Sequence, residues 1–183
     1  MRNSPFGEVD GLSRLRRVPT DDDFADVLSA NQGYAADLPL VDLEARAAKG
    51  LAVLTCMDSR IDPLAMLGLV PGDAKILRNA GARVTDDVLR TLVLADHLLG
   101  VNRVMVVAHT NCRMASGTAD DVHAAIRASG GPDTRSIAFL TTSDQESALR
   151  EDVQRVRSWP YLDNVAVGGF ILDLSTGRLR RIC

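Results

Sequence analysis

Two short segments of this sequence carry side chains of the types that metal-assisted chemistry uses. Cys56-Met-Asp58-Ser-Arg60 closes one apolar run, and His109-Thr-Asn-Cys112 closes another. Thiolate and imidazole suit a borderline-soft divalent ion, Zn2+ above all. Three protein ligands, Cys56, His109 and Cys112, leave a tetrahedral position open, which is the arrangement of a catalytic site rather than a structural one. Each residue alone has a plainer reading. A lone cysteine at a strand end is most often a small buried hydrophobe, and a lone histidine is usually just hydrogen-bonded. Asp58 alone reads as a cap on the following turn, with Arg60 as its solvated partner. The combination outweighs those readings. If the chain leaves the strand in extended form, Cys56, Asp58 and Arg60 share one face while Met57 and Ser59 take the other. Arg60 then keeps Asp58 ionised. The carboxylate can accept a hydrogen bond from an attacking hydroxide or swing in to occupy the open metal position itself.

The elements that must position these groups follow from periodicity. Leu51 to Thr55 is an apolar, partly β-branched run suited to a strand buried on both faces, and Val104 to Ala108 is another, ending at His109. Between them, Pro71-Gly72 marks a turn, Ala74 to Leu77 a brief strand, and Asn79-Ala-Gly81 a break in the pattern. Val84, Val88, Leu92, Ala95 and Leu99 form one stripe of a helix that Gly100 stops. Phe24, Val27 and Leu28 recur at helical spacing after Asp21, Asp22 and Asp23, and a short helical piece is expected beyond Pro39. Helices are expected from about Thr118 to Ala128 and from Ser143 to Ser158, the latter opening on a Ser143-Asp-Gln-Glu146 capping box. Val165 to Leu174, the turn Ser175-Thr-Gly177 and Arg178 to Ile182 read as a strand, a tight turn and a returning edge strand. Strands alternating with helices predict an α/β fold: a mostly parallel sheet flanked by helices, with sites outside the carboxyl ends of the strands. Residues 1–19 read as a loose N-terminal arm, and residues 20–183 as a single domain.

Composition narrows the function classes. At 183 residues and 46% hydrophobic content the chain can bury a core of its own. With 21 Lys and Arg against 24 Asp and Glu, net charge −3, it offers no broad basic surface for nucleic acid. No apolar run approaches a membrane span or a secretory signal, so the expected compartment is the cytoplasm, without membrane attachment. Three cysteines cannot build a disulfide framework, which directs attention to metal or thiol chemistry.

Cys56-Met-Asp58-Ser-Arg60, Arg78-Asn79-Ala80-Gly81 and His109-Thr-x-Cys112, in this order and at these separations, resemble the β-class carbonic anhydrases, in particular their short bacterial branch. The resemblance runs from about Asp21 to the C-terminus and includes Ala30-Asn31 to Tyr34-Ala35. It implies Cys56, His109 and Cys112 as zinc ligands, Asp58 as conditional fourth ligand or hydroxide acceptor, and Arg60 as its dyad partner. It implies reversible hydration of carbon dioxide to bicarbonate and a proton. It also implies a homodimer or dimer of dimers in which the N-terminal helix packs on a second subunit, as the Phe24 stripe would suit. Two alternatives stand beside this: hydrolysis of a similar linear molecule such as carbonyl sulfide, and a non-catalytic zinc-binding dimer. The chain departs from the family at Arg113, where family members generally carry glycine. Arginine there either disturbs a backbone that needs glycine and narrows the approach to the metal, or turns outward and slightly lowers the pKa of Cys112.

The remaining candidates have plainer expected roles. Asn79-Ala-Gly81 lacks an accompanying phosphate-binding motif and reads as a structural turn near the site. His97 and His123 read as surface or half-buried helical residues, and Cys183 as an unengaged terminal thiol. Trp159 anchors the end of its helix, and Arg178, Arg180 and Arg181 guard an exposed strand edge.

Overall fold

Leu51-Ala-Val-Leu-Thr-Cys forms strand β1, Leu51–Cys56, and every one of its residues is buried, as a β-branched apolar run in a central parallel strand should be. A computed structural model describes this and the rest of residues 21–38 and 43–183. The expected N-terminal arm, 1–19, lies outside the described residues. Four further strands follow: β2, Ala74–Asn79, β3, Arg103–His109, β4, Ala166–Leu172, and β5, Leu179–Arg181. They make one sheet in the order β2-β1-β3-β4-β5. β1 is parallel to both β2 and β3, β3 is parallel to β4, and β5 returns antiparallel along β4. The mostly parallel α/β architecture with a C-terminal edge strand is therefore the one the periodicity predicts.

The order in which the chain adds strands reverses between β1 and β3, because the chain moves outward to β2 on one side of β1 and then crosses back to β3 on the other. Such a switch point opens a crevice at the carboxyl ends of the strands. Cys56 ends β1 and His109 ends β3, so both sit on that crevice.

The helices are α1, Ala25–Ala36, α2, Asp86–Leu99, α3, Ala119–Ala128, and α4, Gln145–Arg157. The stripe of α2 buries Val88, Leu89, Leu92 and Ala95, and α4 buries Leu149, Val153 and Val156, on the sheet face formed by Leu54, Val104 and Val106. Thr85 caps the start of α2, and Gly100, at φ 73°, stops it in the left-handed conformation that glycine adopts without a Cβ penalty. On the opposite face, Val53, Val107 and Leu172 pack with Ile61 and the half-buried Met66, Leu67 and Leu69.

Three details differ from expectation. β2 runs two residues further than predicted and brings Arg78 and Asn79 into register with Thr55 and Cys56. Residues 43–50 form bends and a turn rather than a helix, and 39–42 lie outside the described residues. The cap of α4 is Asp144, whose Oδ1 accepts the Ser147 N–H at 3.0 Å, and the Ser143 box does not form. Glu146, the far end of that expected box, instead accepts from Arg180 Nη2 at 2.7 Å. The box that does form is at α3, between Thr118 and Asp121.

Helix α1 and its N-cap Phe24 carry the predicted apolar residues but bury none of them: Phe24, Val27 and Leu28 are 62%, 56% and 62% exposed. Among the described residues, no helix is long and apolar enough to cross a membrane.

Candidate metal centre

Cys56 and His109 reach the crevice as the last residues of neighbouring strands. Asn111, at φ 56°, turns the chain in the left-handed region that asparagine tolerates better than most residues, and Cys112 follows that turn. The result gathers three donors. One ligand atom from each of Cys56, His109 and Cys112 lies within 4.8 Å of the others, and this is the one such group of three among the described residues. All three are buried, His109 to 1% exposure.

The imidazole settles its own tautomer. Nδ1 lies 2.8 Å from the Thr110 carbonyl oxygen, which only accepts, so Nδ1 carries the proton and donates. Nε2 is then a bare lone pair, buried and without a hydrogen-bond partner. Leaving such an atom unsatisfied costs about 1–3 kcal/mol, a cost that a metal ion at this point removes. The sulfurs are disposed the same way. The hydrogen bond from Cys112 draws the Cys56 thiol well below its ordinary range against the opposing effect of burial, with help from His109 and from the Gly81 N–H at 3.4 Å. Cys112 is pushed up, first by its bond to Cys56 and then by burial. For His109, burial alone works against protonation, but the neighbouring Cys56 and the Thr110 carbonyl outweigh it and the net direction is upward. Two cysteine sulfurs beside a bare, buried imidazole nitrogen form a donor set that fits a thiophilic cation.

Asp58 and Arg60 come together, though not by extended-chain alternation. The backbone turns after Met57: Arg60 N donates to Asp58 Oδ1 at 3.0 Å, and Ile61 N to the Asp58 carbonyl at 3.1 Å. This turn lets the Arg60 guanidinium grip the carboxylate twice, Nε to Oδ1 at 2.9 Å and Nη2 to Oδ2 at 2.6 Å. Those bonds hold Asp58 well below the usual carboxylate range. Arg60 Nη2 also reaches the Asn111 carbonyl at 3.2 Å, tying the two ligand-bearing segments together. Asp58 Oδ2 stands 3.9 Å from His109 Nε2, beside the donor set.

Around this centre lie further residues, of which Arg78 and Gln145 were given no role by the sequence. Arg78 donates to the Cys56 carbonyl at 3.0 Å and to the Asp58 carbonyl at 2.6 Å, fixing the path of the chain between them. The Asn79 side chain clasps the Arg83 backbone, accepting from its N–H at 2.9 Å and donating to its carbonyl at 2.7 Å, so Asn79-Ala-Gly81 is the expected structural turn. Gly81 sits inside it at φ 81°, where an added Cβ would lie 3.1 Å from Met114 Cβ. Gln145 Nε2 donates to the His109 carbonyl at 3.0 Å.

Arg113 begins a right-handed 3-10 turn, Arg113–Ala115, and is not among the residues of positive φ. No glycine is needed there, so the expected backbone cost is absent, and the left-handed residue of the loop is Asn111 instead. The Arg113 side chain is exposed on the wall of the open cleft that also includes Met57, Asp58, Arg60 and Asn111. The net direction for Cys112 is upward and is set by Cys56 and burial.

The other candidates stay away from this chemistry. Exposed His97 meets the Tyr161 carbonyl at 3.0 Å, and His123 bonds Thr134 Oγ1 at 2.9 Å. Cys183 is not loose: it is half-buried against the core, filling the space over Gly169. Trp159 packs against the same core beyond the end of α4.

The carbonic anhydrase family model matches residues 51–136, from β1 to beyond α3. β-Carbonic anhydrase 1 of Mycobacterium tuberculosis is 32% identical over 166 residues, covering 89% of this chain and 97% of that protein. A crystal structure of carbonic anhydrase from Streptococcus mutans superposes with a TM-score of 0.82 at 34% identity, covering 91% of this chain and 100% of that one. Carbon disulfide hydrolase of Acidianus sp. strain A1-3 is 31% identical, over 78% of this chain and 84% of its own length. Because the likeness to the first two runs through both partners almost end to end, in sequence and in fold, this chain belongs to the β-carbonic anhydrase family.

Proposed function

We propose that the protein is a zinc enzyme that interconverts carbon dioxide and bicarbonate, with Cys56, His109 and Cys112 as the metal ligands. The observation that carries this reading is the buried, unpartnered His109 Nε2 gathered with the sulfurs of Cys56 and Cys112, one ligand atom of each residue lying within 4.8 Å of the others. When bound, zinc supplies a Lewis acid that makes water a usable nucleophile near neutral pH. The protein's own groups do the rest. Thr110 holds the imidazole tautomer, and the Gly81 N–H steadies the Cys56 sulfur. Asp58, kept ionised by Arg60, is an acceptor without a proton to give, so it orients the O–H of the attacking water. Its depressed pKa makes it too weak a base to carry the released proton, which leaves through the open cleft to solvent.

We further propose that α1 packs on a second copy, giving a homodimer or a dimer of dimers. The cytoplasm is the proposed compartment, since a reducing environment keeps both thiols available as ligands. The likeness to carbon disulfide hydrolases favours one second reading, hydrolysis of a linear sulfur relative of carbon dioxide on the same centre.

Stopped-flow hydration of carbon dioxide by purified protein, with zinc analysis before and after chelation, tests the proposal. Activity should vanish on metal removal and return with zinc. Zinc-loaded protein that releases sulfide from carbonyl sulfide or carbon disulfide but does not hydrate carbon dioxide, from neutral to alkaline pH, would establish the second reading.

A further inference from the structure

Helix α4 meets the His109 half of the metal centre directly and is linked to the Cys56 half through Arg83, without supplying a ligand. At its first residue, Gln145 Nε2 donates to the His109 carbonyl at 3.0 Å. Seven residues on, Asp152 lies on the same helix face, since seven residues are close to two full turns. Asp152 is buried and pairs with Arg83 Nε at 2.6 Å. Arg83 is the residue whose backbone the Asn79 side chain clasps around Gly81, and the Gly81 N–H faces Cys56 Sγ. One rigid helix is thus tied to the His109 side of the centre at one end and to the Cys56 side further along.

We propose that Gln145 is a positioning residue for the metal centre, setting His109 against Cys56 through the fixed length of α4; this rests on the metal-ligand reading above. The amide orientation is forced by chemistry. The His109 carbonyl only accepts, so the Gln145 nitrogen must face it. The bond acts one residue upstream of the carbonyl that fixes Nδ1, and together the two hold the ring and its main chain at successive peptide units. Outer hydrogen bonds of this kind typically change metal affinity by about 10–100-fold when lost.

Gln145→Glu separates this role from plain helix packing, because it keeps size and shape while replacing the donor by a carboxylate that cannot donate. At the first position of α4 an acidic side chain also favours the helix. The positioning role therefore predicts a loss of metal affinity out of proportion to any effect on the fold. The metal-free variant should stay folded, its melting temperature lowered by no more than the loss of one hydrogen bond would lower it, an effect that the charge at the helix start partly offsets. Its Co2+ affinity, measured by chelator competition, should fall about tenfold or more, with a shift in the thiolate charge-transfer and d–d bands of the bound ion. Gln145→Met, which removes the donor without adding charge, should loosen Co2+ in the same direction and serves if the glutamate variant fails to fold. Wild-type affinity and unchanged bands in the folded variants would overturn the positioning role alone. Failure of wild type itself to take up Co2+ would overturn the metal centre and this inference with it.

Discussion

Asp58 has two neighbours that compete for it. Arg60 holds both of its oxygens, and the donor set lies 3.9 Å from Oδ2. Removing the guanidinium frees the carboxylate to move onto the metal and exclude water, so Arg60→Ala should keep its zinc and lose activity. Asp58→Asn should lose activity for the opposite reason, since its amide can present a donor where the attacking water needs an acceptor. A tenfold loss corresponds to only ~1.4 kcal/mol of transition-state stabilisation, and each variant should lose at least that in kcat/KM. Carbon dioxide hydration assays paired with metal analysis check this, and near-wild-type rates in both variants would remove the pair from the mechanism. At this scale the sequence is readable where side-chain type itself carries chemistry: Cys56, Asp58, Arg60, His109 and Cys112 are informative as a set. Gln145 and Arg83 were not legible. One acts through a main-chain carbonyl, and the other finds its partner 69 residues away, so neither leaves a local pattern.

Elements follow sequence most closely where burial is complete. The apolar runs before Cys56 and His109 became strands almost residue for residue, because a strand buried on both faces admits little else. Element ends are decided by single hydrogen bonds, and there local sequence leaves more than one residue able to serve. Ser143 and Asp144 are both good N-cap residues, and local sequence does not choose between them. The structure chooses through Thr142, whose Oγ1 accepts from Asp144 N at 3.0 Å and donates to its carbonyl at 2.8 Å, leaving Asp144 extended at the cap. Asp144→Ala should therefore cost about 1 kcal/mol of stability in urea titrations, whereas Ser143→Ala should stay within about 0.5 kcal/mol of wild type. The reverse ranking would return the cap to Ser143. Local backbone strain also escaped the sequence: Ala82, Asn111 and Leu140 all have positive φ. Ala82 lies in the turn clasped by Asn79, Asn111 lies between two donors, and the Leu140 carbonyl accepts from Arg83. Such conformations cost roughly 1–3 kcal/mol each and persist where surrounding bonds over-determine them.

For the molecule as a whole, periodicity predicted a parallel sheet but not its strand order, because which strand crosses back is a tertiary choice that no single run encodes. It is that order, with β1 between β2 and β3, that puts Cys56 and His109 on one crevice. The exposed apolar residues at the start of α1, Phe24, Val27 and Leu28, point to an unmet requirement. Replacing Phe24, Val27 and Leu28 together by serine should leave the body folded and shift sedimentation from dimer to monomer. A wild-type chain that is monomeric and fully active would refute the dimer.

The bare surface of α1 also sets a concentration below which the helix should not persist. It has 12 residues and no buried side chain, and helices shorter than ~12–15 residues are marginal in water on their own. If a second copy is what holds it, helix content becomes a matter of mass action. On dilution the far-ultraviolet circular dichroism of the wild type should lose a small helical fraction in step with dissociation, while the absorbance bands of bound Co2+ persist. The chain would then report its own assembly through the coil-to-helix balance of one segment.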